Sequence, residues 1–325
     1  MKISIVGVTG LVGSKLLKLI EKREFPINDF YPVASEDSEG KIIELNKKDY
    51  ITTTIDKILD LELDLIFFCS NNSISQEWIP KILQTQEKVK IIDNSSFYRL
   101  DNLVPLVIPE INFNLITSKT RLVANPNCST AQLALVLFPL DQKYKIKRVI
   151  VSTYQSVSGS GYPGIKQIYD ERNNFNLEKK VFTTRIDLNC IPFCDQLDPN
   201  TGYTKEELKL ENETKKIIRP EINLTATAVR VPVICGHCES VNIEFENDFD
   251  LEEIKKCLEL MPGVELKDEA YPIDVLNHSN VWVSRIRRDK SQKNSLNLWI
   301  VADNLMKGAA LNAIQIAEYI INLKV

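Results

Sequence analysis

Apolar positions specify the first element directly. Ile3, Ile5 and Val6 follow Lys2 with no breaker between them, which predicts a buried strand over Lys2–Val6. Gly7-Val8-Thr9-Gly10-Leu11-Val12-Gly13 interrupts the run, and Leu16, Leu17 and Ile20 resume it at helical spacing. Further apolar stretches predict strands at Phe30–Ala34, Leu65–Cys69 and Lys90–Asp93, with helices between or beside them, as over Ser75–Leu83. That alternation specifies a doubly wound parallel sheet. Ser70-Asn71-Asn72-Ser73 closes the Leu65 strand, where such sheets place their ligand, and asparagines tolerate the left-handed backbone that glycine usually supplies there.

The second half begins at Asn125-Pro126-Asn127-Cys128-Ser129. The proline ends a strand, Asn127 is a strong helix N-cap, and Cys128 takes the first helical position. Leu133, Ala134, Leu137 and Phe138 continue at helical spacing. Thr204–Ile217 predicts a helix with Thr204 as N-cap and Glu207 three positions on, a capping box. Arg230 to His237 has the character of a strand. A closing helix carries Leu305, Ala309, Ala313, Ile316 and Ile320 on its apolar face and should pack on the front domain. The expected organisation is a dinucleotide-binding domain, residues 1–126 plus 303–325, and an α+β domain, residues 127–302. Cys128 would lie where the two meet.

Composition narrows the function. At 325 residues, two domains are the default, and 44% apolar with 26% charged residues is the balance of a soluble globular protein. The net charge of −4 lacks the basic excess of a nucleic-acid binder, and no apolar run reaches membrane-spanning length, so neither partner is expected. Met1-Lys2 leads straight into a strand, unlike a secretory leader. Seven cysteines, an odd number, are expected to be reduced thiols in the cytoplasm.

Two motifs carry chemistry on their own residues. Gly7, Gly10 and Gly13 between a strand and a helix form a cradle in which backbone and helix N-terminus can hold a pyrophosphate, which points to a nicotinamide cofactor. A cysteine at a helix N-terminus meets unsatisfied N–H groups that favour the thiolate and can hold an oxyanion, although a half-buried cap cysteine has the same pattern. A lone histidine such as His237 is more often structural, and Glu206 and Lys209, three apart on a helix, more often form a solvated face. Cys190, Cys194, Cys235, His237 and Cys238 invite a zinc reading, but the spacing is weak, and no metal is expected.

Along nearly its whole length the chain resembles the aspartate-semialdehyde dehydrogenase family. The blocks that carry the resemblance are Gly7 to Gly13, Asn94-Ser95-Ser96-Phe97-Tyr98-Arg99, Pro109-Glu110-Ile111-Asn112 and Asn125 to Ser129. Further on are Gln155 to Gly161, Gly202 to Lys209, Arg230 to Val233 running to Gly236-His237, and Asp303 to Ala310. Their order and spacing together are specific.

The resemblance implies a glyceraldehyde-3-phosphate-dehydrogenase-like fold and reversible, phosphate-dependent oxidation of aspartate semialdehyde to aspartyl phosphate. In the biosynthetic direction this is a reduction serving lysine, threonine and methionine. Cys128 would be the nucleophile, forming a thiohemiacetal and then an acyl-thioester, with His237 as general acid/base and Gln155 orienting the substrate. Arg230 would pair with the substrate carboxylate and Glu206 with its ammonium. Arg99, Lys209 and Asn127 would hold inorganic phosphate. Ser158, Gly159 and Asn304 would line the cofactor, with Thr9, Leu11 and Val12 of the glycine turn and Ser35, Asp37, Ser38 and Ser70 beyond it. The family also implies a homodimer or homotetramer formed mostly through the second domain.

The chain departs from the family pattern at Glu36 and Asp37, where NADP users commonly carry an arginine. Carboxylates there repel a 2′-phosphate and accept from a free ribose hydroxyl, so NAD is expected beside NADP. Met306 also replaces a usual basic residue. N-acetyl-glutamyl-phosphate reductase shares the cysteine–histidine chemistry, but the Asn-Pro-Asn-Cys setting, the Glu206/Lys209 helix and the Arg230 block speak against it. The Ser-Cys-Thr-Thr-Asn setting of glyceraldehyde-phosphate dehydrogenases is absent, and an inactive structural paralogue would be expected to have lost Cys128 or His237.

Overall fold

The computed structural model describes residues 1–174 and 180–323. The chain runs β1 (Lys2–Val6), α1 (Leu11–Lys22), β2 (Asp29–Val33), a hairpin of β3 (Ile42–Leu45) and β4 (Lys48–Ile51), β5 (Leu65–Phe68), α2 (Asn72–Thr85), β6 (Lys90–Asp93), α3 (Pro109–Asn112) and β7 (Leu122–Ala124). It continues with α4 (Cys128–Tyr144), β8 (Ile146–Gln155), α5 (Gly161–Arg172), α6 (Lys205–Ile217), β9 (Asn223–Arg230), β10 (His237–Phe245), α7 (Leu251–Glu259), β11 (Val264–Leu266), β12 (Val281–Arg288), β13 (Ser295–Ala302) and α8 (Leu311–Asn322). Two compact units result, Met1–Pro126 with Ala309–Val325, and Asn127–Gly308.

The first unit is a parallel sheet in the order β2-β1-β5-β6-β7, a Rossmann-like arrangement. Ile3, Ile5, Ile66, Phe67, Phe68, Ile91 and Ile92 are fully buried, as strands covered on both faces require. Gly7 turns the chain at φ 86°, and a Cβ there would stand 2.5 Å from the Cys69 carbonyl oxygen, so only glycine fits. Neither Asn71 nor Asn72 takes the left-handed backbone that asparagine tolerates. Asn71 instead caps α2, its Oδ1 accepting the Ile74 N–H at 3.1 Å, so that helix starts at Asn72. α8 closes the unit against α1: Arg23 pairs with Glu318 at 2.6 Å, and Asn312 Nδ2 donates to Asn125 Oδ1 at 2.7 Å.

The second unit is a mixed sheet, β11-β12-β13-β10-β8-β9, with α4 packed on β8, β10 and β13 and α6 packed on β9 and α4. Residues 303–308, expected with the front domain, belong to this unit, because Asn304 Oδ1 accepts the Gly236 N–H at 3.0 Å and Gly308 lies against Cys128. Leu305 is not helical. Asp303 Oδ1 takes the Leu305 N–H at 2.9 Å and holds a turn there, and a π-helical stretch, Met306–Ala310, precedes α8. Met306 is buried, which accounts for an apolar side chain there. Among the described residues no helix is long and apolar enough to cross a membrane.

Alanine at position 7 forces a Cβ onto the Cys69 carbonyl at a positive φ. Gly7→Ala is expected to lower stability by about 1–3 kcal/mol in urea denaturation.

Candidate active site

Three strand ends converge at one end of the second unit's sheet. β8 ends at Gln155 and β9 at Arg230, which are paired in register, and β10 starts with His237 on the opposite flank of β8. The strand expected from Arg230 through His237 is therefore two strands joined by a loop. Pro232 has no N–H for a ladder, and Gly236 turns at φ 94°.

His237 is fully buried. The Ser156 backbone N–H donates to its Nδ1 at 3.1 Å, and the Ser156 hydroxyl lies 3.0 Å from the same atom. A backbone N–H can only donate, so Nδ1 is the acceptor and the proton of the neutral ring sits on Nε2. Burial, then the Arg230 charge, pushes the imidazole down to about 3, so it is neutral at working pH. Nε2 is buried and has no hydrogen-bond partner among the described residues. A Cβ on Gly159 would stand 3.2 Å from Nε2 and 2.8 Å from Arg230 Nη1, so the missing side chain leaves both groups room at the same place. Arg230 Nη1 donates to the Ser156 carbonyl at 2.8 Å, and the guanidinium lies over the Phe182 ring, 5.8 Å from its centroid.

Cys128 opens α4 as the residue pattern predicts, and it is partly exposed. Asn127 Oδ1 accepts the N–H groups of Ser129 at 2.9 Å and Thr130 at 3.2 Å. Gly308 packs so closely that a Cβ there would lie 2.6 Å from the Cys128 Cβ. Burial pushes the thiols of Cys194 and Cys235 up to about 11 and Cys238 to about 12, with Cys69 higher still, which leaves those four inert as nucleophiles. Among the described residues, no three His, Cys, Asp or Glu side chains gather where they could hold a metal ion.

Glu206 joins these elements. Its Oε1 accepts Asn127 Nδ2 at 2.9 Å and Gln155 Nε2 at 3.1 Å, and Lys209 Nζ lies 3.2 Å from Oε2. Burial alone would raise this carboxyl, but the Lys209 charge, the Asn127 hydrogen bond and the Arg230 charge outweigh it and bring the group down to about 2. Glu207 forms the predicted capping box with Thr204 and also takes the Ala228 N–H at 2.8 Å. Ser158 and Asn304 are hydrogen-bonded at 3.0 Å, and Asn304 Oδ1 accepts the Ser156 hydroxyl at 3.1 Å.

The structure therefore brings together Cys128, Asn127, Gln155, Ser158, Gly159, Glu206, Lys209, Arg230, His237 and Asn304 within one unit. Arg99 belongs to the other unit, where its Nε donates to the Asn125 carbonyl at 2.8 Å and its Nη2 to that of Asn94 at 2.7 Å. Three contributors escaped the sequence reading. Ser156 fixes the His237 tautomer, Asp195 Oδ2 lies 2.8 Å from Lys209 Nζ, and Glu213 Oε2 accepts the Asn127 N–H at 2.7 Å. Only Glu213 had a signal, its place seven residues after Glu206 on the same helical face.

The first unit's glycine turn fits a dinucleotide. α1 starts without a side-chain cap, Gly7 leaves its backbone bare, and the Ser70 hydroxyl at the end of β5 is buried with no partner among the described residues. Ser35, Glu36 and Asp37 are exposed around a single 3₁₀ turn, with Lys41 Nζ donating to the Ser38 hydroxyl at 2.8 Å.

Comparison with known proteins places both units. Residues 2–119 match the semialdehyde dehydrogenase NAD binding domain and residues 137–307 the semialdehyde dehydrogenase dimerisation domain. Aspartate-semialdehyde dehydrogenase of Rickettsia conorii is 41% identical over 98% of this chain and 97% of its own, and that of Aquifex aeolicus is 40% identical over 98% of each. The crystal structure of aspartate semialdehyde dehydrogenase II from Vibrio cholerae, complexed with ASA, superposes with a TM-score of 0.93 at 39% identity, over 99% of this chain and 98% of that one.

The His237 shift has a sign that can be tested. Its folded value, about 3, is below the unfolded value of about 6.5, so the unfolded state binds the extra proton. The contribution is complete above pH ~6.5 and is lost as pH falls towards 3. His237→Gln is expected to remove about 2 kcal/mol of the loss between pH 7 and 5, measured by urea denaturation across that range.

Proposed function

This chain belongs to the aspartate-semialdehyde dehydrogenase family, and on that premise we propose that it interconverts L-aspartate 4-semialdehyde and L-4-aspartyl phosphate through a Cys128 acyl-thioester. One observation carries the reading: a buried Nε2–H of His237, without a partner among the described residues, stands beside the Arg230 guanidinium in the unit whose main helix opens at Cys128. A buried donor left unpaired costs about 1–3 kcal/mol unless a ligand oxygen completes it.

The chemistry follows from the tautomer. The Cys128 sulfur attacks the aldehyde carbon, a C–S bond forms, and the carbonyl electrons move to oxygen. His237 Nε2–H donates to that oxygen and holds the charge, as an oxyanion donor does. A nicotinamide held at the Gly7–Gly13 turn and lined by Ser158, Gly159 and Asn304 would supply the hydride acceptor, and loss of hydride from the same carbon would reform the C=O as a thioester. A phosphate oxygen then adds to the thioester carbonyl, the C–S bond breaks, and the sulfur leaves as thiolate. In the reducing direction, hydride delivered to the thioester carbonyl would give an alkoxide; His237 Nε2–H holds its charge, and it collapses to the aldehyde as the C–S bond breaks and the sulfur leaves as thiolate.

We assign the substrate carboxylate to Arg230, its ammonium to Glu206, and phosphate to Lys209, Asn127 and Arg99. A planar guanidinium suits bidentate carboxylate pairing, and Gln155 links Glu206 to the first turn of α4, where it can orient the substrate. The exposed Glu36 and Asp37 support use of NAD as well as NADP. The dimerisation-domain match supports a homodimer or homotetramer, and seven free cysteines support a reducing cytoplasmic setting.

Purified protein should reduce NADP and NAD with aspartate semialdehyde only when phosphate is present, and Cys128→Ala should lower turnover by at least about a thousandfold. Phosphate-independent turnover, or activity surviving in that variant, would overturn the assignment. Asp37→Arg should raise the NADP-to-NAD ratio of kcat/KM by about tenfold, since a charge is reversed near the 2′-phosphate.

A further inference from the structure

α6 meets the start of α4 with two carboxyls seven residues apart, on one helical face. Glu206 takes the Asn127 side-chain amide at 2.9 Å, and Glu213 takes the Asn127 backbone N–H at 2.7 Å. Both acids are buried, Glu213 to 1% exposure. The remaining polar atoms of Asn127 are engaged within α4: Oδ1 by Ser129 and Thr130, and the carbonyl by the Ala131 N–H at 2.9 Å. Pro126 precedes it with φ fixed by its ring. Asn127 is thus bonded at every polar atom, and Cys128 is the next residue.

We propose that Glu213 is a positioning residue for the nucleophile, holding the Asn127 backbone so that α4 begins at Cys128 with its first turn intact. The proposal rests on the reading of Cys128 as the attacking group. Glu206 cannot substitute for Glu213, because it binds the side chain of Asn127 and is shared with Gln155 and Lys209. The Asn127 N–H points outside the helical ladder, as an N-cap N–H must, so it needs an acceptor from another element. Without that acceptor the cap is free to shift, its bonds to Ser129 and Thr130 weaken, and the helix N-terminus no longer favours thiolate at Cys128.

The test is the pH dependence of iodoacetamide alkylation of Cys128 in the full-length enzyme, with Cys128→Ala subtracting the other thiols, beside steady-state kinetics. Glu213→Ala is expected to move the alkylation midpoint up by roughly half a pH unit. Its kcat should fall about tenfold to a hundredfold, with KM for the semialdehyde little changed. Glu213→Gln keeps an acceptor oxygen and should restore both midpoint and kcat. Leu210→Ala, a buried residue of the same helix, should lose stability through its cavity without moving the midpoint.

An unmoved midpoint in Glu213→Ala, or an equal shift in Leu210→Ala, would overturn the positioning role. Failure of the underlying reading is distinguishable, since it appears as activity retained by Cys128→Ala in the otherwise unaltered enzyme.

Discussion

The second unit depends on the burial of the Glu206 carboxylate. Moving a carboxylate out of water costs several kcal/mol, and that cost is met only when its oxygens find donors of good geometry. Here the donors come from three elements: Asn127 from the head of α4, Gln155 from the end of β8, and Lys209 from one turn further along α6. Each is useful only if the others are in place. The result is a joint that locks helix, sheet and helix together at the residue before Cys128. A change at Glu206 would therefore act on Cys128, Gln155 and Lys209 together.

His237 is arranged in the opposite way. One ring nitrogen is saturated by Ser156 and the other has no partner among the described residues, with burial first and then the Arg230 charge suppressing protonation. The saturated side sets the tautomer, and the bare side is the one exposed to chemistry. A neutral donor of this kind can hold charge as it forms on oxygen without itself changing protonation state during hydride loss. Gly159 and Gly308 extend the same logic to space: each leaves room, one beside His237 and Arg230, the other beside Cys128, that any side chain would fill.

Much of this was legible in the chain. The glycine turn, the Asn127 cap, the Thr204 capping box and the parallel sheet follow from local rules, because caps, turns and buried runs are decided within a few residues. Asn71 was open between two uses, since a cap and a left-handed turn draw on the same residue type and only the neighbouring backbone selects the cap seen here. The Arg230–His237 stretch has the character of one strand in the sequence, whereas Pro232 and Gly236 divide it and send its two ends to opposite flanks of β8.

The sequence by itself determined which residue types were present and which local structures they would start: a thiol at a helix head, a histidine after a glycine, carboxyls at fixed intervals on α6. Tertiary structure alone decided which of them would meet. Ser156 reaches His237 across 81 residues, Glu213 reaches Asn127 across 86, and Asp195 finds Lys209 across 14. Such pairings depend on strand register and helix packing, which no local window encodes. The pKa values that give His237 and Glu206 their roles depend in turn on burial, which exists only once the chain has folded around them.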